Sequence, residues 1–252
     1  MAYSVDLAGK TALITGGTRG IGAAMATLFA QAGANLIITG TSQQSLAPRL
    51  EALAQWGSGT MEGWVADFSD PASLDATCQR IRALPALHIL VNNAGINHIV
   101  PIDEVAPQDL RRLLDLNLHA PVLLSGAAAS VMKAQHWGRI VNVASIWSVV
   151  TKPGRAMYTS SKFGLVGLTK ASAADLGGYN ILVNALSPGF TRTDLTNATV
   201  PQEEQQRIAQ LVPMRRFADP EEMAKVALFL CSDMNTYITG QNIVVDGGYV
   251  SV

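Results

Sequence analysis

Short apolar runs recur along the chain, and each is followed by a longer stretch in which apolar residues return every third or fourth position. Thr11–Thr15 predicts a strand and Gly20–Gln31 a helix closed by Gly33. Asn35–Thr39 predicts a second strand, with a helix over Gln43–Trp56. Trp64–Ala66 ends a third strand and Pro71–Leu84 is helical. His88–Val91 is a fourth strand, ahead of a long helical region at Pro107–Gln135. Arg139–Ala144, Ala156–Leu176, Ile181–Leu186, Glu221–Cys231 and Asn242–Val245 continue the alternation as strand, helix, strand, helix and strand. Such alternation implies an α/β fold with parallel pairing and helices on both faces, the doubly wound, three-layer arrangement whose ligands bind at the carboxyl ends of the strands. With no repeat, low-complexity stretch or linker, residues 1–252 read as one domain. Only Thr191–Asp219 leaves the rhythm. It is polar, carries Pro201 and Pro213 and has no strand signal, so it predicts an active-site lid at about 191–219.

Composition narrows the class. Hydrophobic residues make up 48% and charged residues 15%, enough for a large core. A net charge of −1 argues against a nucleic-acid or anionic-membrane surface. Cys78 and Cys231 lie in helix-like segments without metal-ligand spacing and read as buried free thiols in a reducing compartment. Met1–Lys10 contains Asp6 and no apolar stretch, and no run approaches the roughly 18–20 residues of a membrane span. These features predict a soluble cytoplasmic protein with neither nucleic acid nor membrane as partner. The four histidines show no metal spacing, and no metal is expected.

Chemistry enters after the first strand, at Thr15-Gly16-Gly17-Thr18-Arg19-Gly20-Ile21-Gly22. Glycines permit a tight turn and close backbone approach, and the following helix presents free N–H groups and a positive dipole end to a pyrophosphate. At the end of the second strand an acid would hold the 2′-hydroxyl of NAD. The chain reads Thr39-Gly40-Thr41-Ser42 there, without a carboxylate. Arg19 stands where a helix dipole disfavours a cation, which predicts a contact to a 2′-phosphate with the hydroxyls of Thr41 and Ser42. NADP(H) is therefore the expected cofactor and NAD(H) the runner-up. Asp67 ends the third strand, placed to accept from an adenine amino group or to cap the next turn. Asn92-Asn93-Ala94-Gly95 ends the fourth, with small residues that let the chain pass close to a ribose.

Tyr158 and Lys162 are one helical turn apart, and Ser145 lies thirteen residues before the tyrosine. A phenol of pKa about 10 is a poor base at neutral pH. A unit charge about 4–5 Å away, at an effective dielectric near 20, favours the phenolate by roughly 3–4 kcal/mol. Tyr158 is thus expected to be an acid/base near pH 7 through the charge of Lys162. Asn117 lies in a helical pattern with Pro121 four residues on. Proline has no N–H for the carbonyl of residue 117, which predicts a kink and a released carbonyl.

Together these motifs resemble the short-chain dehydrogenase/reductase family. The matches are Thr15–Gly22, Asp67, Asn92–Gly95, Asn117, Ser145, Tyr158–Lys162 and Pro188-Gly189 with Thr193, in the family's order and across nearly the whole chain. The resemblance implies a Rossmann-type seven-stranded parallel sheet in the order 3-2-1-4-5-6-7. It implies hydride transfer at a nicotinamide between a ketone and a secondary alcohol, commonly in a homotetramer. Asn117, Ser145, Tyr158 and Lys162 would be catalytic: the tyrosine as acid/base, the serine positioning the carbonyl, the lysine holding the ribose, and the freed carbonyl of Asn117 holding a water. The cofactor would lie on Gly16, Thr18, Arg19, Gly20, Ile21, Gly22, Gly40, Thr41, Ser42, Asp67, Phe68, Asn93, Ala94, Gly95, Tyr158, Lys162, Pro188, Gly189, Phe190, Thr191 and Thr193.

Within the family the overall look is that of the 3-oxoacyl-acyl-carrier-protein reductases and related sugar and ketone reductases. Tyr237-Ile238-Thr239-Gly240 and Val245-Asp246-Gly247-Gly248 carry that likeness. Arg139 fits a basic contact for the carrier, whereas Gly178-Tyr179-Asn180 stands where a second is expected. Substrate contacts are expected from Ser145, Tyr158 and Trp147, the indole being either a wall for a compact ring or a packed core residue. His98 either faces substrate or is simply exposed. An acyl-carrier reductase and a non-catalytic NADP-binding regulator are the alternative readings.

Overall fold

The computed structural model describes residues 5–56, 59–193, 196 and 200–252. Seven parallel strands form one sheet in the order β3-β2-β1-β4-β5-β6-β7. They are β1 (Thr11–Ile14), β2 (Asn35–Gly40), β3 (Met61–Val65), β4 (Ile89–Asn92), β5 (Gly138–Val143), β6 (Ile181–Pro188) and β7 (Asn242–Val245). The direction of winding reverses between β1 and β4, so their carboxyl ends open the crevice where such sheets bind ligands.

Alternate residues of each strand feed opposite layers. Ala12, Ile14, Leu36, Ile38, Ile89 and Val91 pack against Met25 and Phe29 of α1 (Gly20–Gln31), Leu46 and Leu53 of α2 (Gln43–Ala54), and Met223 and Leu230 of α8 (Pro220–Cys231). Leu13, Ile37, Leu90, Ile140 and Val183 face the other layer. There they meet Leu74 and Ile81 of α3 (Pro71–Arg82), Leu124 and Met132 of α5 (Ala120–Ala134), and Ala173 and Leu176 of α6 (Ala156–Leu176). Cys78 and Cys231 are buried free thiols, one in each layer. No described helix is long and apolar enough to cross a membrane.

The long helical region expected over Pro107–Gln135, with its kink at Asn117, is three pieces. α4 (Pro107–Leu114) passes into a π turn at Asp115–His119 and then into α5. Pro121 cannot donate to the carbonyl of residue 117, and the wider turn is how the backbone accommodates it. The expected lid contains α7 (Gln202–Leu211). Asp194, Leu195, Asn197, Ala198 and Thr199 of that segment lie outside the described residues. Its end is set by the capping box of α8, in which the Glu222 carboxylate accepts from the Asp219 N–H at 2.9 Å.

Candidate active site

The loop after β1 is shaped by absent side chains. Gly16 has φ +64° and Gly20 φ +55°, conformations that favour glycine. A Cβ on Gly22 would lie 2.3 Å from the Gly16 carbonyl oxygen, so the first turn of α1 packs directly on the loop. The Gly16 N–H donates to Thr39 Oγ1 at 3.0 Å, tying the loop to β2. Asn93 Nδ2 donates to the carbonyls of Thr15 (2.9 Å) and Gly16 (3.1 Å), while Thr15 Oγ1 accepts from the Asn93 and Ala94 N–H groups. Arg19, at the N-cap of α1, makes no side-chain cap, and the first turn holds no acid. The uncapped N–H groups and the dipole end make an anion cradle. The Thr193 methyl packs beside Gly20. Ile21 is partly buried against the core.

The end of β2 shows no carboxylate. Gly40 abuts the Thr18 methyl, Thr41 is exposed, and Ser42 accepts from the Ser45 N–H at 3.2 Å as the cap of α2. Asp67 Oδ1 accepts from the Ser69 N–H (2.9 Å) and hydroxyl (2.7 Å), so the capping role is filled. Those two hydrogen bonds hold its carboxyl below the usual range. Phe68 is buried in the core, which leaves only its main chain for a ligand. The glycines with no room for a Cβ and the uncapped helix end together fit a dinucleotide.

On the other side, polar side chains do the positioning. Ser145 follows β5 and its Oγ accepts from the Trp147 N–H at 3.3 Å. Its turn is pinned by Ser148, whose hydroxyl donates to the Ser145 carbonyl at 2.7 Å. Ser148 also meets Ser187 (3.0 Å) and accepts from Asn242 Nδ2 (3.1 Å), and Ser187 donates to Asn242 Oδ1 at 2.6 Å. The ends of β5, β6 and β7 are thereby locked together. Asn117 is buried at the π turn. Its Nδ2 donates to the Ile96 carbonyl (2.8 Å) and to Ser161 Oγ (3.2 Å), and its Oδ1 accepts from the Ile96 N–H (2.9 Å). Ser161 in turn donates to the Tyr158 carbonyl at 2.7 Å. A Cβ on Gly95 would lie 3.2 Å from Asn117 Oδ1 and 3.7 Å from Lys162 Nζ. Asn117, Ser145, Tyr158 and Lys162 therefore converge at the carboxyl ends of β4 and β5.

One expectation is corrected. Lys162 is buried and donates to the Val143 carbonyl at 2.8 Å, with Nζ 5.5 Å from the Tyr158 ring centroid. Desolvation raises the phenol's pKa, and the Ser145 hydroxyl and the Arg155 guanidinium draw it back only in part. Desolvation also pushes the Lys162 ammonium down to about 8. The burial that brings the lysine near the phenol penalises both charged forms, a cost that their mutual attraction taken alone leaves out.

Beyond the catalytic groups, Pro188 ends β6 and the Gly189 N–H donates to the Val245 carbonyl at 2.9 Å. Thr191 Oγ1 donates to the Gly189 carbonyl at 3.2 Å. Phe190 meets Trp147 edge-on with centroids 6.3 Å apart and stacks on Phe217 at 5.3 Å. Trp147 is buried, with the Arg155 and Lys152 cations 5.5 and 5.6 Å from its ring centroid. Arg139 is not a carrier contact. It is 3% exposed and donates to the carbonyls of Gly138, Asn180 and Asn235, because it lies inside β5 rather than on its rim. His98 is half-exposed and sits 3.7 Å from Asp109. Sequence reading passed over Ser148, Ser187, Asn242 and Ser161, which no spacing rule marks. It also passed over Arg155, whose position three residues before Tyr158 was a usable signal.

Comparison with known proteins agrees with this geometry. A family profile described as enoyl-(acyl carrier protein) reductase matches residues 16–250. The 3-oxoacyl-[acyl-carrier-protein] reductase of Aquifex aeolicus is 39% identical over 97% of this chain and 98% of its own. The 3alpha-hydroxysteroid dehydrogenase of Mediterraneibacter gnavus is 38% identical over 96% and 97%. A solved structure from Beutenbergia cavernae, proposed to be an NAD(P)-dependent gluconate 5-dehydrogenase and holding NADP at low occupancy, superposes with a TM-score of 0.93 at 37% identity, covering 98% and 99% of the two chains. The chain belongs to the short-chain dehydrogenase/reductase family and is an oxidoreductase of CH–OH groups.

Proposed function

We propose that the protein interconverts a compact ketone and its secondary alcohol with NADP(H), using Ser145, Tyr158, Lys162 and Asn117. The convergence of those four residues beside the glycine cradle carries the reading. When bound, the nicotinamide supplies or accepts the hydride. In reduction Tyr158 gives its proton to the carbonyl oxygen while the Ser145 hydroxyl orients that oxygen, and hydride plus proton complete the alcohol. In oxidation Tyr158 takes the proton back. Lys162 holds the ribose, and the carbonyl that Pro121 cannot engage keeps a water for proton exchange. The β2 end without a carboxylate favours NADP(H), with Arg19, Thr41 and Ser42 at the 2′-phosphate.

Relatives named for acyl-carrier, steroid and gluconate substrates make the substrate a question for this chain's own pocket. We take Trp147, packed edge-on against Phe190, as its wall, which favours a compact molecule. Similarity to the Aquifex aeolicus enzyme favours carrier-linked 3-oxoacyl substrates as the second reading. The buried Arg139 weakens that reading. A purely regulatory NADP-binding role is disfavoured by the presence of all four reacting groups. A homotetramer in the cytoplasm completes the proposal, with exposed Val122, Leu123 and Phe163 on the neighbouring α5 and α6 as its apolar contact. A ketone and alcohol panel, free and carrier-linked, followed at the nicotinamide absorbance with both cofactors, tests the reading. NADPH consumption with compact free ketones is expected. Turnover confined to carrier thioesters would install the second reading, and turnover of nothing would reject both.

A further inference from the structure

Arg155 is 9% exposed and lies at the N-cap of α6, directly before the turn that carries Tyr158. Its guanidinium makes no hydrogen bond or ion pair among the described residues, and its buried Nε is without a partner. Two other arginines with an unpartnered Nε show what an ordinary structural guanidinium does here. Arg139 donates to three main-chain carbonyls, and Arg49 donates to the Ala23 carbonyl and Thr27 Oγ1. Arg155 has no such acceptors among the described residues. It lies 5.5 Å from the Trp147 ring centroid and close enough to Tyr158 to draw its acidity upward.

This placement is unfavourable on two counts. A cation is desolvated, and it stands at the positive end of a helix whose first turn has no acid. Glu204 on α7, which lies near Lys152, is held by Arg207 through two bonds of 2.7 Å. Among the described residues no acceptor faces the Arg155 guanidinium, and the partner that suits a desolvated cation is an anion.

We propose that Arg155 seats a carboxylate of the substrate, so that the enzyme acts on compact hydroxy or keto acids. The inference rests on the ketone–alcohol reading above and gives it a substrate class. Residues three apart on a helix share a face, so an anion on Arg155 brings the rest of a small molecule to the Tyr158 hydroxyl. The indole of Trp147 forms the apolar side of the same seat, and Ser145, two residues earlier, the polar side. A single planar guanidinium suits a planar monoanion, which it can grip with two parallel N–H groups. A tetrahedral phosphate would call for further buried donors beside it. Lys152, exposed above the same indole, adds attraction at the mouth.

Arg155 could instead serve only to tune Tyr158, and the test separates the two roles. Calorimetry would measure binding of malonate and of its uncharged counterpart malonamide to wild type, Arg155→Gln and Arg155→Lys, each checked for an unchanged melting profile. Wild type should bind malonate at least tenfold more tightly than malonamide. Arg155→Gln should erase that difference, and Arg155→Lys should restore part of it. In turnover, keto acids and their carboxamides would be compared as matched pairs. Arg155→Gln should raise KM for the acid by roughly a hundredfold more than KM for the carboxamide. Equal malonate binding by wild type and Arg155→Gln, or none by wild type, would overturn the proposal. So would an equal fall in kcat for acid and carboxamide with a shifted pH profile, the signature of tuning alone. Discriminating malonate binding without turnover of any pair would uphold the seat and count against the ketone–alcohol reading instead.

Discussion

Around β1 and β2 the groove is defined by side-chain atoms the chain lacks, whereas around β5 and β6 it is defined by polar atoms the chain buries. The first region presents main-chain N–H groups and a helix end, and Gly22 leaves no room for one added carbon. The second holds Asn92, Ser125, Asn142 and Thr169 in a buried chain of hydrogen bonds of 2.8–3.0 Å beneath the reacting groups. A surface of backbone donors recognises a phosphate without titrating. A surface of buried side chains can move protons, but each of its charges is held against desolvation. Binding and chemistry should therefore be separable by mutation.

The largest expected separation is at Tyr158. Tyr158→Phe keeps the ring and removes the transferable proton, so kcat should fall about 10²–10⁴-fold while NADPH affinity, read by fluorescence titration, stays near wild type. Retention of more than about a tenth of kcat would remove Tyr158 from the acid/base role.

Next is the charge of Lys162. Its folded pKa of about 8 lies below the ordinary 10.5, so the unfolded chain binds more protons between those values. The penalty of burying the ammonium is complete below pH 8 and is relieved as pH rises through the window. Relative to Lys162→Met, wild type should gain about 3 kcal/mol of unfolding free energy between pH 8 and 10.5. A flat or falling difference in denaturant titrations across that range would show that the lysine is not desolvated as described.

On the cradle side, Gly22→Ala should do the reverse of Tyr158→Phe. The new methyl meets the Gly16 carbonyl, destabilising the fold by about 1–3 kcal/mol and weakening NADPH binding, with kcat at saturating cofactor little changed. A normal NADPH Kd would mean that the loop does not carry the dinucleotide. The smallest effect is Thr41→Asp. Position 41 is exposed, whereas a Cβ at Gly40 would press within 2.8 Å of the Thr18 methyl, so 41 is the better place for a new carboxylate. The substitution should shift the ratio of kcat/KM for NADPH over NADH by about tenfold toward NADH, through repulsion of the 2′-phosphate. Wild type favouring NADH would contradict the cofactor assignment.

The same contrast explains what could be read from the sequence. Period and punctuation exposed the strands, the helices and the loop at Gly16–Gly22, because glycine requirements and hydrophobic alternation are local. Pro121 announced the break at Asn117 for the same reason, although as a kink rather than a π turn. Ser148, Ser187 and Asn242 were silent, since their triangle joins three strand ends far apart in the chain. The balance at Tyr158 was misjudged because burial, which no spacing reveals, opposes the charge of Lys162. Arg139 and Arg155 looked alike as letters. Only the acceptors around one and their absence around the other set them apart.

The central claim, that this groove passes a hydride between a nicotinamide and a carbonyl carbon, is tested most directly by isotope. Wild-type protein would be incubated with NADPH carrying deuterium at the transferable C4 position and with the fastest ketone of the panel. The account predicts deuterium on the carbinol carbon, in step with cofactor consumed, and about a hundredth as much or less when Tyr158→Phe replaces wild type over the same period. Cofactor oxidation without label in the alcohol, or no reaction with any ketone, would contradict it.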